Sequence, residues 1–238
     1  MRDTLKNETY FEEKILENDE LIKKYEDMLQ QLIQERGEND PSIERVHIVL
    51  LKYYTAKINC LYSAGFPIDS IKEVYPLFLN SFEIIWEKET SSYIQLLWTV
   101  SLGILVGASK EQFQQIEDII KKEEFHDYLI DYLMHQHNKS WEITTQEIIF
   151  PTPYQVLKDI IRETNKDSAV KELKYYLEKE WYKGHDDAGW HDSHKSKFDT
   201  YSGYWSYESG AIAKVLQLDD EALKNVPYYP YDLVHYKN

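Results

Sequence analysis

The chain has 238 residues, 42% of them hydrophobic, which is enough for a full hydrophobic core and corresponds to one large domain or two small ones. Its 27 lysines and arginines against 42 aspartates and glutamates give a formal net charge of −15. This charge repels nucleic-acid backbones and anionic membranes, so direct binding to either is not expected, whereas a basic partner would be attracted.

Cysteine usage and hydropathy indicate the compartment. The single cysteine, Cys60, lies in an apolar run and allows no intrachain disulfide, which is typical of a reducing environment. The first residues are polar and of mixed charge, so no secretion signal is expected. The most apolar stretch, 93–108, is shorter than the roughly 20 residues of a membrane span and contains Gln95, Thr99 and Ser101. We therefore predict a soluble cytoplasmic protein.

Helical periodicity dominates the first 135 residues. Apolar residues recur at alternating steps of four and three from Phe11 to Leu32, with a polar gap at Asn18, and predict a long amphipathic first helix. Capping residues, prolines and glycines then mark the ends of the first five helices. These signals are Gly37, Asp40 with Pro41, Gly65 with Pro67, Ser91 or Ser92, Gly107, and Ser109 with Gln112. The third helix is expected at 68–88, and a sixth at 124–135.

Helices continue after a proline-rich change of direction at Pro151 and Pro153. We predict a helix at 167–183 in which Val170, Leu173 and Leu177, with Trp181, form the buried stripe. The remaining elements are predicted as a helix at 154–163, an ordered loop at 185–200, a helix at 203–216, a short turn of helix from 219, and an extended C-terminal segment at 226–236.

These patterns predict an all-α fold, because no strand alternation and no internal repeat is found. We expect about nine helices, antiparallel and packed in two layers, with the ordered polar loop and the extended C-terminal segment added to them. We divide the chain into an N-terminal helical region, 1–150, and a C-terminal helical region, 151–238, and expect the two to form one continuous globule.

The polar loop places three histidines and three aspartates within residues 185–194. Histidine and carboxylate side chains can bind metal ions, which leaves open a metal-dependent enzyme using His185, Asp187, His191 and His194. The spacing matches no known metal motif, and such side chains more often bond backbone amides and cap helices. Neither a nucleophile elbow nor a glycine-rich phosphate loop is present, so we predict no catalytic residue and no cofactor.

Acidic residues are concentrated at 111–135, where seven aspartates and glutamates accompany two lysines. A solvated helix face is the ordinary explanation, but the net charge also fits a surface that mimics a nucleic-acid backbone or covers a basic active site. The candidate partner-binding residues are Glu117, Asp118, Glu123, Glu124, Asp127, Asp131, Asp186 and Asp187.

Aromatic residues are unusually dense at 201–207 and 228–231. A buried tyrosine needs a hydrogen-bond partner, and such a density is more typical of a core than of a solvent-facing tail. We expect Tyr204 or Trp205 to contact the C-terminal segment. An aromatic recognition surface is the alternative.

The segment 181–236 resembles the C-terminal domain of the PoNi family, the immunity proteins of PoNe DNase toxins. The likeness lies in the combination GYWSYE with PYYPYD and in the tryptophans and histidines before it. The helical region before this segment fits the family through its length and helicity. The residues that we expect to organise the motif are Trp181, Trp190, Asp192, His194, Tyr204, Trp205, Glu208, Tyr228, Tyr229, Pro230, Tyr231 and Asp232.

The resemblance implies an all-α protein without enzymatic activity that binds a cognate nuclease toxin and blocks it. An acidic inhibitor would complement a nuclease site that is basic because it holds phosphates. No metal or cofactor is implied. A helical scaffold that pairs with another helical protein is a further alternative, and the long first helix could also pair between two copies of the chain.

Overall fold

The computed structural model describes residues 1–87 and 93–237, and within these ranges the secondary structure is helical, with no strand. The predicted all-α fold class is therefore confirmed. The chain separates into two compact units: the first comprises Met1–Ser91 with Phe198–Gly203, and the second comprises Ser92–Lys197 with Tyr204–Asn238. The division at residue 150, like the packing in two layers, stays a prediction.

The first unit is built from three helices, α1 (Glu8–Arg36), α2 (Pro41–Ala64) and α3 (Ile68–Ile85). Paired contacts show that α1 and α2 are antiparallel. Lys57 Nζ lies 2.6 Å from Asp19 Oδ1, and further along α1 the Glu26 carboxylate accepts a hydrogen bond of 2.6 Å from Tyr54, which lies earlier in α2. As the residue number increases along α1, the number of the contacting residue in α2 decreases, as in an antiparallel helical hairpin.

The ends of α2 follow the predicted signals. Asp40 accepts a hydrogen bond of 2.8 Å from Ser42 N, and Pro41 occupies the first turn. Gly65 has φ 91°, and a Cβ there would lie 2.8 Å from Met1 N, so only glycine fits. The third helix ends at Ile85, short of the predicted 88. The caps proposed at Ser91 or Ser92 lie outside the described residues.

Part of the predicted polar loop belongs to this first unit. The Tyr10 hydroxyl donates a hydrogen bond of 2.8 Å to the carbonyl of Tyr201, and Ser63 donates one of 3.1 Å to the carbonyl of Ser202. The Tyr201 hydroxyl also bonds the carboxylate of Asp3. Tyr201 and Ser202 therefore bond α1, α2 and the N-terminal segment, in agreement with the assignment of 198–203 to the first unit.

The second unit contains α4 (Tyr93–Val106), α5 (Lys110–Lys122), α6 (Tyr128–His137), α7 (Pro151–Arg162), α8 (Lys166–Tyr175), α9 (Tyr207–Leu216) and the short α10 (Tyr231–Val234). Helix α4 is buried on most sides, as predicted, and contacts α5, α6, α9 and α10. Within residues 1–87 and 93–237, no helix has both the length and the apolar composition that crossing a bilayer requires.

Several boundaries differ from the predicted ones. The sixth helix begins at Tyr128 rather than at 124, because the Asp127 side chain caps it and Glu124 adopts φ 47°. The predicted helix at 167–183 has the expected buried stripe but changes to a π-helix at Tyr176–Trp181. Helix α9 starts at Tyr207, later than predicted.

The C-terminal segment is only partly extended, since it contains α10. Its position is set by a close approach to α9. A Cβ on Gly210 would lie 2.6 Å from Cγ of Pro230 and 3.3 Å from a methyl group of Val234. Glycine at this position therefore allows the C-terminal turn to lie directly on α9.

Candidate functional site

The aromatic motif forms part of the core of the second unit. The Trp181 ring is fully buried and lies 5.4 Å from the Trp190 ring and 4.8 Å from the Tyr228 ring, measured between centroids. The rings of Tyr204 and Tyr228 are 6.4 Å apart, and the Tyr228 carbonyl accepts a hydrogen bond of 2.9 Å from Ser206 N. The predicted contact between the 204–205 pair and the C-terminal segment is thus confirmed for Tyr204.

The carboxyl group of Glu208 lies at the centre of this motif and is 0% exposed. Its Oε1 atom accepts three hydrogen bonds, from the Tyr176 hydroxyl at 3.2 Å, from Trp181 Nε1 at 2.6 Å and from the Ser206 hydroxyl at 2.7 Å. Its Oε2 atom has no hydrogen-bond partner among the described residues. Glu208 therefore joins the π-helix to the start of α9.

Both ring nitrogens of His185 are engaged. Its Nδ1 donates to the Trp181 carbonyl at 2.5 Å, so its Nε2 accepts from the Tyr154 hydroxyl at 2.7 Å. Burial lowers the pKa of His185, which favours the neutral ring that this arrangement requires. A metal at Nε2 would have to displace a buried hydrogen bond.

The other residues of the polar loop make local contacts. His191 stacks on Tyr182 with ring centroids 4.2 Å apart, and His194 Nδ1 lies 2.9 Å from the Tyr204 hydroxyl. Asp192 has φ 57°, and its carboxylate accepts from Lys195 and Tyr182, which lowers its pKa to about 2. Within the described ranges no three histidine, cysteine or acidic side chains are grouped to hold a metal ion. The proposed ligand set with Asp187 is therefore not assembled.

The C-terminal residues of the motif also have structural contacts. The Tyr229 hydroxyl donates to Asp220 at 2.5 Å, and the Tyr231 hydroxyl donates to Glu221 at 2.6 Å. Pro230 and Trp205 are buried, whereas Asp232 is exposed.

The eight acidic candidates fall into two groups. Asp118, Glu124, Asp186 and Asp187 are exposed and Glu123 is half-buried, whereas Glu117, Asp127 and Asp131 are buried. Asp127 is 0% exposed, and its carboxylate accepts from Leu129 N, Ile130 N, the Tyr93 hydroxyl and Ile149 N. Burial raises its pKa. Asp127 and Asp131 are therefore left out of the contact surface proposed below.

A pocket of about 540 Å³ opens beside these acids in the second unit. It is enclosed by the end of α5, the turn that follows it, α6 and the segment 138–144. The lining residues are Glu117, Ile120, Lys121, Glu124, Phe125, His126, Asp131, Asn138, Ser140, Trp141, Glu142 and Thr144.

The indole of Trp141 forms a fixed wall of the pocket. The indole Nε1 donates a hydrogen bond of 3.0 Å to Asp131 Oδ1. The backbone carbonyl of Trp141 accepts a second hydrogen bond, of 2.8 Å, from His135 Nδ1. The other carboxylate oxygen of Asp131 accepts from both the amide and the hydroxyl of Thr144 at 2.8 Å. The buried Asp131 thus holds the segment 141–144 against α6.

A cation already lies between this indole and a carboxylate. Lys121 Nζ is 3.1 Å from Glu117 Oε2 and 5.3 Å from the centroid of the Trp141 ring. Glu117 Oε1 accepts a second hydrogen bond of 2.8 Å from Asn138. Nothing in the sequence singled out Trp141, Asn138 and Glu142 as site residues, because isolated residues in a polar segment carry no signal of what they will face.

Two models of one protein family together match nearly the whole chain. The model of the PoNe immunity protein (PoNi), N-terminal, matches residues 2–118, and that of the PoNe immunity proteins (PoNi), C-terminal, matches residues 125–233. The structure is similar to that of protein PA2201 from Pseudomonas aeruginosa, with a TM-score of 0.66 and 16% identity over 93% of this chain and 87% of the other. At this identity the likeness concerns the fold alone. No curated protein sequence matches the chain.

Proposed function

The chain belongs to the family of PoNe immunity proteins, and from this premise we propose that it neutralises a cognate DNase toxin by binding it through an acidic surface of its second unit. We define the acidic surface as the exposed or half-buried carboxylates within residues 118–147, namely Asp118, Glu123, Glu124, Glu142 and Glu147. Asp186 and Asp187 are exposed as well, and we keep them as secondary candidates.

The observation that carries this proposal is the exposure of these carboxylates, of which Glu124 and Glu142 line a pocket, in a chain of net charge −15. A nuclease site is positively charged because it holds phosphates. Opposite charges on two partners accelerate their encounter and disfavour wrong partners. We propose that the acidic surface covers the basic substrate groove and keeps DNA out.

We further propose that the protein acts by binding and not by catalysis. His185 is the buried histidine of the polar loop, and both its ring nitrogens are hydrogen-bonded, which supports a structural contribution. The loop as a whole would then organise the second unit and present Asp186 and Asp187 to solvent.

The test is protection against the product of the adjacent open reading frame. We would co-express that product with the wild-type chain and score survival and DNA integrity. The variant Asp118→Lys/Glu124→Lys reverses two charges on the acidic surface, and Glu12→Lys/Glu20→Lys makes the same change of net charge at exposed positions of α1. We expect only the first variant to lose protection, with an association rate about tenfold lower at low salt.

Two outcomes contradict different parts of the proposal. If the wild type does not protect against a nuclease that kills, or if the product is not toxic, the pairing is wrong. If both double variants protect as well as the wild type, the acidic surface is not the contact.

A further inference from the structure

We infer that the pocket beside Trp141 receives a basic side chain of the bound toxin, an arginine guanidinium, at the position where Lys121 now lies. This inference rests on the proposed function and deepens it, because it names the chemical group that the acidic surface captures. It is carried by the pocket, by the cation already held there and by the difference in exposure between that cation and the carboxylate that holds it.

The chain itself shows what chemistry the pocket accepts. The Lys121 ammonium bonds the Glu117 carboxylate at 3.1 Å and lies over the Trp141 ring at 5.3 Å. A carboxylate on one side and the face of an indole on the other form a recognition site for organic cations, because both present negative potential. Lys121 therefore acts as an internal stand-in for the ligand.

The receiving groups are held by neighbouring side chains, whereas their present occupant is largely exposed. The Glu117 side chain is 8% exposed and is held by Asn138, while the Lys121 side chain is 59% exposed. Trp141 is held through its Nε1 by Asp131. A long exposed side chain in a surface ion pair contributes little to stability, so an incoming cation can displace Lys121 without disturbing the fixed groups.

Size and composition favour arginine over lysine as the ligand. A pocket of about 540 Å³ is larger than one ammonium group needs. A planar guanidinium can bond a carboxylate and stack on an indole at once, and it is more weakly hydrated than an ammonium. Ile120 and Phe125 line the same pocket and can cover the aliphatic stem, while Glu124 and Glu142 add negative charge.

A pair of neighbouring lysines provides the sharpest test. Lys122 is 70% exposed, pairs with Glu123 at 3.3 Å and does not line the pocket. Lys121→Ala and Lys122→Ala remove the same charge, but only the first removes the internal competitor. We expect Lys121→Ala to bind the purified toxin roughly threefold to tenfold more tightly than Lys122→Ala does. Equal affinities, or weaker binding by Lys121→Ala, would overturn the inference.

A loss variant complements this gain. Glu117→Gln keeps the shape of the side chain but removes the charge that faces the cation, and we expect it to weaken toxin binding about tenfold. Glu12→Gln makes the same change of charge at an exposed position of α1, outside both the pocket lining and the acidic surface. Circular dichroism would confirm that each variant is folded. If both variants weaken binding equally, the effect is one of general surface charge and the pocket is not used.

A small-molecule probe separates this inference from the proposed function. Acetyl-arginine amide would be titrated into the chain while the indole signals are followed by NMR, with acetyl-citrulline amide as the uncharged control and Trp141→Phe to assign the signal. We expect the Trp141 signal to move with arginine only, and to move more in Lys121→Ala. An arginine-specific shift without nuclease binding would contradict the proposed function alone. Nuclease binding without that shift would contradict the pocket alone.

Discussion

Replacing Glu208 by alanine and by glutamine separates the hydrogen-bonding contribution of this side chain from that of its second oxygen. All three donors, from Tyr176, Trp181 and Ser206, meet Oε1, whereas Oε2 has no partner among the described residues. A glutamine can place its amide oxygen at Oε1 and its amide nitrogen at Oε2. Alanine can accept none of the three bonds.

The expected free energies of unfolding follow from this geometry. In the alanine variant the Ser206 hydroxyl keeps its hydrogen bond with the Ser209 hydroxyl, which lies 2.5 Å away. The two buried donors that lose their acceptor are therefore Tyr176 and Trp181. An unsatisfied buried donor costs about 1–3 kcal/mol. We therefore expect Glu208→Ala to lower the free energy of unfolding by about 2–6 kcal/mol. Glu208→Gln should cost less than Glu208→Ala, because it keeps the acceptor for all three donors and replaces a buried carboxyl by a neutral amide. It still lowers stability to some extent, since its amide nitrogen places unpaired donors at the Oε2 position.

Urea unfolding monitored by tryptophan fluorescence would measure these differences. Five of the six tryptophans lie in the second unit, with Trp86 as the exception, so the signal reports mainly on the unit that contains Glu208. If glutamine destabilises as much as alanine does, the acceptor at the Oε1 position is not what stabilises the motif. If alanine leaves the stability unchanged, the three hydrogen bonds do not stabilise the motif.

Four further predictions concern stability and metal binding. Burial depresses the pKa of His185, so stability should fall as pH falls below the unfolded value of about 6.5. The melting temperature should therefore depend less on pH, between 7.5 and 5.5, in His185→Gln than in the wild type. The control His126→Gln, at an exposed site, should keep the wild-type dependence. Ser109→Ala removes a capping box and should cost about 1 kcal/mol in chemical denaturation; an unchanged midpoint would contradict this. Trp205 is 8% exposed, and Trp205→Ala should cost about 3–5 kcal/mol; wild-type stability with lost toxin binding would move Trp205 to the interface. Zinc and EDTA should each leave the melting temperature unchanged, and a rise with zinc would revive a metal site in the polar loop.

The helices were largely readable from the sequence, because their signals are local. Asp40 with Pro41, Gly65, and Ser109 with Gln112 mark helix ends through bonds and backbone angles within four residues. The buried stripe of α8 and the π-helix was visible as a period as well. The shift to a π-helix was not, since it accompanies the contact of Trp181 with Glu208, 27 residues further along the chain.

The burial of the acidic residues could not be predicted from the sequence. Asp118 and Asp127 are equally acidic in sequence, yet the first is exposed and the second is 0% exposed. What separates them is the segment 138–149, which folds back so that Ile149 bonds Asp127 and Trp141 bonds Asp131. Charge density alone could not show which carboxylates would be covered.

The sequence by itself determined the helical class, the helix ends and the strong negative charge, because each depends on residue type and on spacing along one turn. Only the tertiary structure decided which acids remain at the surface, and that Glu117 and Trp141 flank the Lys121 ammonium beside an open pocket. These side chains come from α5 and from a segment some 20 residues later, and their meeting depends on long-range packing that no local pattern encodes.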